Sequence, residues 1–395
     1  MPTPPSPNLQ RRFRLQVAGL VLLVLGYVAH FRLLDARIQD DAYISFRYAK
    51  HLADGHGLVW NIGEKVEGYT NFLWTLLAAI PMATSDKPNP LSYARALSSF
   101  SGYITIVVTF LFMRHLLPKT RVFPLVPIAL LAGSWPLAIN TMTGLETVFF
   151  GALLTSATFL LVREQDDLKY RGSSLLYALA SLTRPEAILL FALVSGLVFF
   201  HRRNGGPPAK NYAIRFFAPF VVLVGAHEIF RLAYYGEFVP NTFFVKFGSE
   251  LPAGMPTRTS YLGDFLLAGL DPVGITPLLV IGLALVERRE LRARILLLTA
   301  GFGLFNVAIS GADFMIGFRY LVPYAPVFYT AATMSLEAFT ERVRKGPSAR
   351  TIEVGAFVFA LFAAAHGYWH SRTKLQSFGQ LRQVVSLDTN TALGK

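Results

Sequence analysis

No cysteine occurs in the chain, which excludes disulfides, thiolate metal sites and thiol nucleophiles. Charge is also scarce: 15% of the 395 residues are Asp, Glu, Lys or Arg, against 53% hydrophobic, and the mean hydropathy is +0.44. A soluble domain carries nearer a quarter charged residues. No internal repeat is visible. The proline-rich start, "MPTPPSP", reads as a disordered tail.

What the chain has instead is apolar residues gathered in blocks. Several blocks reach the roughly 20 residues needed to cross about 30 Å of hydrocarbon. The fold class expected is therefore an all-α polytopic membrane protein, because helices satisfy their own backbone groups in lipid. The first block, 15–34, follows "RRFR" (11–14). It is too long for a signal-peptide core and has no small-residue cleavage site, so it reads as a retained first helix. The net charge of +13 would suit a nucleic-acid partner if it were clustered on a face. Here the basic residues lie between apolar blocks, where they set topology, and no nucleic acid is expected.

Basic loops mark the cytoplasmic side. They are "RRFR" (11–14), "RHLLPKTR" (114–121), "REQDDLKYR" (163–171), "HRRNGGPPAK" (201–210), "ERRELRAR" (287–294) and "ERVRKGPSAR" (341–350). Placing all of them inside gives a path of about eleven crossings. The spans run near 15–34, 96–113, 122–139, 145–162, 172–183, 186–200, 213–233, 273–286, 294–310, 319–337 and 351–370. The 1–14 segment is then a cytoplasmic tail and 371–395 a short extracytoplasmic one. A break is expected at "TRPE", where proline removes a donor and disfavours helix before it. "NFLWTLLAAIPMA" (71–83) is too short to span and reads as a re-entrant or interfacial piece.

This topology sends the unusual polar residues to the outer side: "QDDAY" (39–43), "EKVEGYTN" (64–71), "NTMTGLET" (140–147), "TRPE" (183–186), "YYGEFVPNTFFVKFG" (234–248) and "SGADFMIGFRY" (310–320). Ionisable groups at the edge of a membrane bundle are costly and often functional. In "DDAYISFRYAKHLADGHG" the residues Arg47, Lys50, His51 and Asp54 fall on one helical face and Ile44, Tyr48 and Leu52 on another, an amphipathic helix that glycine ends. One of Asp40 and Asp41 suffices as its N-cap. The other is left near the mouth of the bundle, ionised at neutral pH and able to take a proton from an attacking hydroxyl.

Arg319 sits on the outer side, where no topological bias asks for a cation, and suits a phosphate that its forked donors can grip. Arg184 reads equally as an Arg–Glu pair at a helix break, and Lys246 equally as a snorkelling lysine. Glu146 reads equally as a helix-dipole acid. Tyr234 and Tyr235 fit an interfacial aromatic belt.

Together, "DDAYISFRYAKHLADGHGLVWNIGEKVEGYTNFLW", "TGLET", "TRPE", "YYGEFVPNTFFVK" and "GADFMIGFRYLVP" resemble, in order over roughly 15–370, membrane glycosyltransferases of the GT-C class. The likeness is to the group that contains the terminal β-(1→2) arabinofuranosyltransferase of mycobacterial cell walls. The resemblance implies a GT-C helical bundle at 15–370, with a catalytic first outer loop (35–71), a large outer loop (234–272) and surface-lying helices. It implies an inverting transfer of a sugar, arabinofuranose or a related pentofuranose, from a polyprenyl phosphate donor to an extracytoplasmic glycan or glycolipid, at the outer face of a bacterial cytoplasmic membrane. Asp40 or Asp41 would be the base, and Arg184, Lys246 and Arg319 would hold the donor phosphate. Glu67, Asn71, Glu146, Tyr235, Asn241 and Asp313 are the candidates for contacts to sugar and acceptor. Some members of the class use a divalent metal; the outer carboxylates here have no spacing diagnostic of one, and metal is left open.

The arabinofuranosyltransferases of that group carry a soluble domain after the last helix, whereas this sequence ends at 395, so a smaller or lipid-linked acceptor is expected. A hexosyl, mannosyl-type donor is the alternative within the enzyme class. Outside it, a flippase or transporter would need ionisable groups at mid-membrane and a second broken helix in a repeat.

Overall fold

The computed structural model describes residues 7–34, 39–203, 210–242, 257–266, 290–310, 313, 315, 317–343 and 350–370. Lys246, the expected span 273–286, parts of the 234–272 loop and the 371–395 tail lie outside the described residues. The described chain is helical and, among those residues, has no strand. In order it forms α1 (Pro7–Leu33), α2 (Asp41–Ala53), α3 (Phe72–Thr84), α4 (Pro90–Leu116), α5 (Val126–Gly133), α6 (Trp135–Asn140), α7 (Thr147–Asp167), α8 (Ser173–Thr183), α9 (Glu186–Arg203) and α10 (Lys210–Tyr235). Then come α11 (Arg258–Asp264), α12 (Leu291–Ser310), α13 (Ala325–Val343) and α14 (Arg350–His370).

Among the described residues, six helices are long and apolar enough to cross a bilayer: stretches of α1, α4, α7, α10, α12 and α14. This is a multi-pass membrane protein. Its outermost helices carry apolar side chains outward, such as Leu22 and Leu25 on α1, Val222 and Ile229 on α10, and Val358 and Phe362 on α14. In water such faces would aggregate, whereas against lipid tails they cost nothing. Inside, helices approach through small residues, as membrane bundles do. A Cβ on Gly133 of α5 would stand 2.1 Å from the Ala364 Cα of α14, so that contact admits only glycine.

The expected span 122–139 is not one helix. A 3-10 turn (Phe123–Leu125) leads into α5, and Ser134 then leaves the helical region (ψ 107) and caps α6 through the Leu137 amide. Serine before "WP" starts a new helix because its hydroxyl serves the orphan amides and proline fits the first turn. The expected span 319–337 also starts later: Arg319 and Tyr320 lie in a turn, and α13 begins at Ala325 after Pro323. "TRPE" breaks as expected, with Arg184 extended (φ −148, ψ 118) between α8 and α9. The 71–83 block forms α3, 13 residues long, or about 20 Å, too short to cross the hydrocarbon.

The described parts of the two sets of loops gather at opposite ends of α4 and α7. At one end His115 meets Asp166 at 2.6 Å, Arg171 grips Asp167 with two nitrogens at 2.7 and 2.6 Å, and Arg12 donates to the Pro118 carbonyl at 3.1 Å. The buried Glu164 organises this end, accepting from the amides of Arg171 and Ser173, the Ser173 hydroxyl and the Tyr212 hydroxyl. Glu353 of α14 caps the turn at 121–123 through the amides of Arg121, Val122 and Phe123. At the other end α2 and α3 pack together across Ala42, Phe46, Ala49, Trp74 and Ala78. The face that α2 buries against α3 is thus turned from the Ile44–Tyr48–Leu52 stripe to Ala42, Phe46 and Ala49. Tyr48 is buried as well, on the other side, where its hydroxyl donates to the Val66 carbonyl and accepts from the Gly68 amide.

Candidate functional site

The 140–146 loop is buried almost throughout, which is unusual for a loop because its backbone groups need partners. Arg95 donates to the Met142 carbonyl at 2.8 Å, Trp74 to that of Gly144 at 3.2 Å, and the Gln39 amide to that of Thr143 at 3.3 Å. Gly144 has φ +86, and a Cβ there would press Leu91 and Ala42 at 3.1 and 3.3 Å, so "TGLET" requires its glycine. The loop delivers Glu146 to the head of α7, where its side chain caps nothing. Instead Oε1 accepts from Arg184 Nε at 2.8 Å and Oε2 from Asn71 Nδ2 at 2.9 Å. Asn71 is held in turn by Ser45 of α2 at 2.9 Å and by Thr75 at 3.2 Å. Burial works against charge on Glu146, yet Arg184 and Asn71 hold its carboxyl below the usual range. Burial equally opposes the charge of Arg184, and Glu146 more than restores it. The pair is ionic.

Arg184 continues the chain of contacts. Its Nη1 donates to the Arg319 carbonyl at 3.2 Å and its Nη2 to the Thr147 hydroxyl at 3.3 Å. Tyr320 lies between the two guanidiniums, 5.8 Å from Arg184 and 5.2 Å from Arg319. Arg319 is itself clamped by two carboxylates: Nε to Asp313 at 2.7 Å and Nη1 to Asp41 at 2.7 Å. These two acids differ. Asp313 is 2% exposed and pinned by the Met315 amide, whereas Asp41 is 38% exposed.

Asp41, Glu146, Arg184, Glu186 and Arg319 share the wall of one cavity of about 440 Å³, at the end of the bundle away from the basic loops. Asn71 and Asn241, both expected from sequence, line it too, with Ser45, Tyr69 and Thr242. Asp40 does not line it. It occupies the N-cap of α2, exposed, with Oδ1 accepting from the Asp41 amide at 3.1 Å. Asp313 stands behind Arg319 rather than in the wall. Tyr235 stands behind Tyr69, whose hydroxyl it meets at 3.2 Å while donating to the Leu58 carbonyl at 2.8 Å.

Glu67 is turned away from the cavity and held by Arg231 of α10, with Nε–Oε2 at 2.8 Å and both side chains nearly fully buried. Burial pushes the Glu67 carboxyl up from its usual value, against the pull of Arg231. The Glu67 carbonyl accepts from the Asn241 amide at 3.1 Å, so this pair fastens the 67–71 wall to the 237–242 loop. Sequence reasoning overlooked Arg231, although an arginine inside an apolar stretch is itself a signal. Removing one partner strands a buried charge: Arg231→Met is expected to destabilise by about 3–5 kcal/mol. The double change Glu67→Gln, Arg231→Met should recover much of the loss, read as the melting temperature in detergent. Equal losses for single and double variants would refute the pairing argument.

Among the described residues, no group of three or more His, Cys, Asp or Glu could hold a metal ion. Of the carboxylates near the cavity, Asp41, Glu146 and Asp313 are hydrogen-bonded to arginines.

No family model matches the chain. It is 32% identical over 228 residues to the terminal beta-(1->2)-arabinofuranosyltransferase of Mycobacterium tuberculosis, covering 53% of this chain and 35% of that protein. With the protein of the same name from Corynebacterium glutamicum it is 25% identical over 328 residues, 72% of this chain and 46% of that one. The chain thus spans less than half the length of either relative. Among solved structures, apo ArnT from Cupriavidus metallidurans superposes with a TM-score of 0.60 at 15% identity, over 85% of this chain and 61% of that one. The apo Archaeoglobus fulgidus oligosaccharyltransferase superposes at 0.60 and 13% identity, over 91% and 56%. A further ArnT structure, bound to undecaprenyl phosphate, superposes at 0.56. The chain has the GT-C fold. Within this GT-C bundle, α2 and the 54–71 segment form the first loop at the cavity end, and "TRPE" and the 317–320 turn bring the two arginines to the same cavity.

Proposed function

We propose that the protein is an inverting glycosyltransferase that moves a sugar, arabinofuranose or a related pentofuranose, from a polyprenyl phosphate to an extracytoplasmic glycan or glycolipid acceptor. The observation that carries this reading is the meeting of Asp41, the most exposed carboxylate of the cavity wall, with two arginines, the buried Arg184 and the part-buried Arg319, in a single cavity. The names of the two curated relatives support the sugar, and the lipid bound to ArnT supports the donor class. The active site faces the extracytoplasmic side of the cytoplasmic membrane, since the basic loops at 114–121 and 163–171 lie at the opposite end.

In this mechanism the donor phosphate enters beside Arg184 and Arg319. It takes over the Nη1 hydrogen bond that Asp41 makes with Arg319, while the Asp313 bond to Nε keeps the guanidinium in place. Asp41 is thereby released to face the acceptor. The acceptor hydroxyl oxygen attacks the anomeric carbon, Asp41 takes its proton, and the bond from that carbon to the phosphate oxygen breaks with its electrons going to the phosphate. The leaving phosphate gains one negative charge, which the arginines stabilise in place before the reaction begins. The donor alone therefore opens the Asp41–Arg319 bridge, and donor binds before acceptor.

The test is release of polyprenyl phosphate from purified protein in detergent, using synthetic polyprenyl phosphates carrying arabinofuranose or mannose, with and without arabinan and glycolipid acceptors. Acceptor-dependent release from the arabinofuranose lipid is expected. Release from the mannose lipid alone would replace the pentose with a hexose. Binding without release from any donor, and transport of the lipid across a vesicle membrane, would replace the enzyme with a flippase.

A further inference from the structure

Three carboxylates line the cavity: Asp41, Glu146 and Glu186. Two are committed. Asp41 is bonded to Arg319, and both oxygens of Glu146 are taken, one by Arg184 and one by Asn71. Glu186 differs. Its nearest charged partner is Arg184 Nη1 at 3.8 Å, beyond hydrogen-bond length, and Arg184 gives its bonds to Glu146, Thr147 and the Arg319 carbonyl. Glu186 therefore brings to the cavity wall a carboxylate with room for further donors, on a side chain 23% exposed. Its backbone is fixed: it opens α9 directly after Pro185, with the amides of Ala187 and Ile188 bonded to the carbonyls of Arg184 and Pro185.

The cavity is thus divided by chemistry. Phosphate oxygens only accept hydrogen bonds and are repelled by a carboxylate, so they belong on the arginine side. A free carboxylate selects donors, and a sugar is dense in hydroxyl donors. Because the sugar is bonded to the phosphate, its ring hydroxyls fall within a few ångströms of wherever the phosphate sits, as Glu186 does of Arg184. Resting on the donor class proposed above, we infer that Glu186 binds the hydroxyl groups of the transferred sugar and so selects the sugar that the donor lipid carries. The competing role, an acid favouring the helix N-terminus, predicts no preference between lipids with and without a sugar.

The experiment measures binding to the full chain in detergent of two probes, a polyprenyl phosphate carrying arabinofuranose and the same polyprenyl phosphate without sugar. Glu186→Gln is expected to weaken the sugar-bearing lipid about tenfold, the loss of a charge-assisted hydrogen bond, and to leave the bare lipid bound at least as tightly, since a carboxylate 3.8 Å from Arg184 no longer repels the phosphate. Bare-lipid binding also reports that the variant is folded. A donor whose sugar lacks the 2-hydroxyl should bind the parent chain more weakly and lose less on Glu186→Gln, as expected for coupled groups. An equal fall for both lipids would make Glu186 a structural residue and overturn the assignment. Unchanged binding of both lipids with slower transfer would place the contact on the acceptor and overturn it too. If the parent chain binds neither lipid, the proposed donor class fails, and this assignment fails with it.

Discussion

Asp41→Asn is expected to slow sugar transfer by about 10²–10⁴-fold, the usual contribution of a positioned general base, while Asp40→Asn leaves the rate close to that of the parent chain. The two aspartates are neighbours, but the fold separates their tasks. Asp40 caps α2 from an exposed position outside the cavity, whereas Asp41 is in the wall and bonded to Arg319 at 2.7 Å. Asparagine caps a helix as well as aspartate does, so Asp40→Asn keeps the helix start and Asp41 in place. At Asp41 the amide oxygen can still accept from Arg319, so folding is preserved, but an amide does not take a proton from a hydroxyl. The rate is read as acceptor-dependent release of polyprenyl phosphate. If the larger loss followed Asp40→Asn, or if neither change mattered, the base would have to be sought elsewhere.

Arg319→Met should cost about 10²–10³-fold in kcat, comparable to removing one preorganised donor from a developing oxyanion. Two further effects follow from its bonds. Asp41 loses the partner that holds it, and Asp313, 2% exposed, is left as a buried carboxylate with one amide for support. Breaking such a pair typically destabilises by about 3–5 kcal/mol, so the melting temperature should fall as well. Arg319→Lys separates charge from geometry. A lysine supplies a cation whose three donors radiate from one nitrogen, and it lacks the planar fork that holds Asp313 through one nitrogen while others meet phosphate. Its turnover is therefore expected between those of the parent and the methionine variant, with a weaker affinity for the bare polyprenyl phosphate. Turnover unchanged in a folded Arg319→Met protein would remove this arginine from phosphate stabilisation.

Much of the bundle could be read along the chain because membrane helices announce themselves locally. Length, hydropathy and the placement of arginine and lysine in loops mark α1, α4, α7, α10, α12 and α14, and proline marks the break at Arg184. Where local signals were weak, the reading slipped. Ser134 splits an apolar run that looked continuous, and α13 starts later than hydropathy suggests, because the turn before it is shaped by contacts such as Asn140 Nδ2 to the Gly317 carbonyl at 2.6 Å. The candidate site was legible as a set of loops. Asp41, Asn71, Glu146, Arg184, Asn241 and Arg319 were all in it, while Glu67 turned out to face Arg231 and Tyr235 to support Tyr69 from behind. Neither orientation has a sequence signal, since both depend on α10 packing against a loop more than 160 residues earlier.

The sequence by itself determined the solvent this protein lives in, the helical bundle, and which end of that bundle collects acids, asparagines and unexplained arginines. Those properties follow from transfer free energies and backbone satisfaction, which are summed residue by residue. Pairing is another matter. That Arg319 serves Asp41 and Asp313 together, that Arg184 is given to Glu146, and that Glu186 is left open to the cavity were decided only by the tertiary structure. Each of these carboxylates had an arginine within reach in the sequence's list of outer residues, and a guanidinium has few donors to give. Whether Arg184 gives its hydrogen bond to Glu146 at 2.8 Å, far away in the chain, or to Glu186, two residues on and 3.8 Å away, is a matter of about an ångström, and it is that difference which leaves one of the two acids able to bind a substrate.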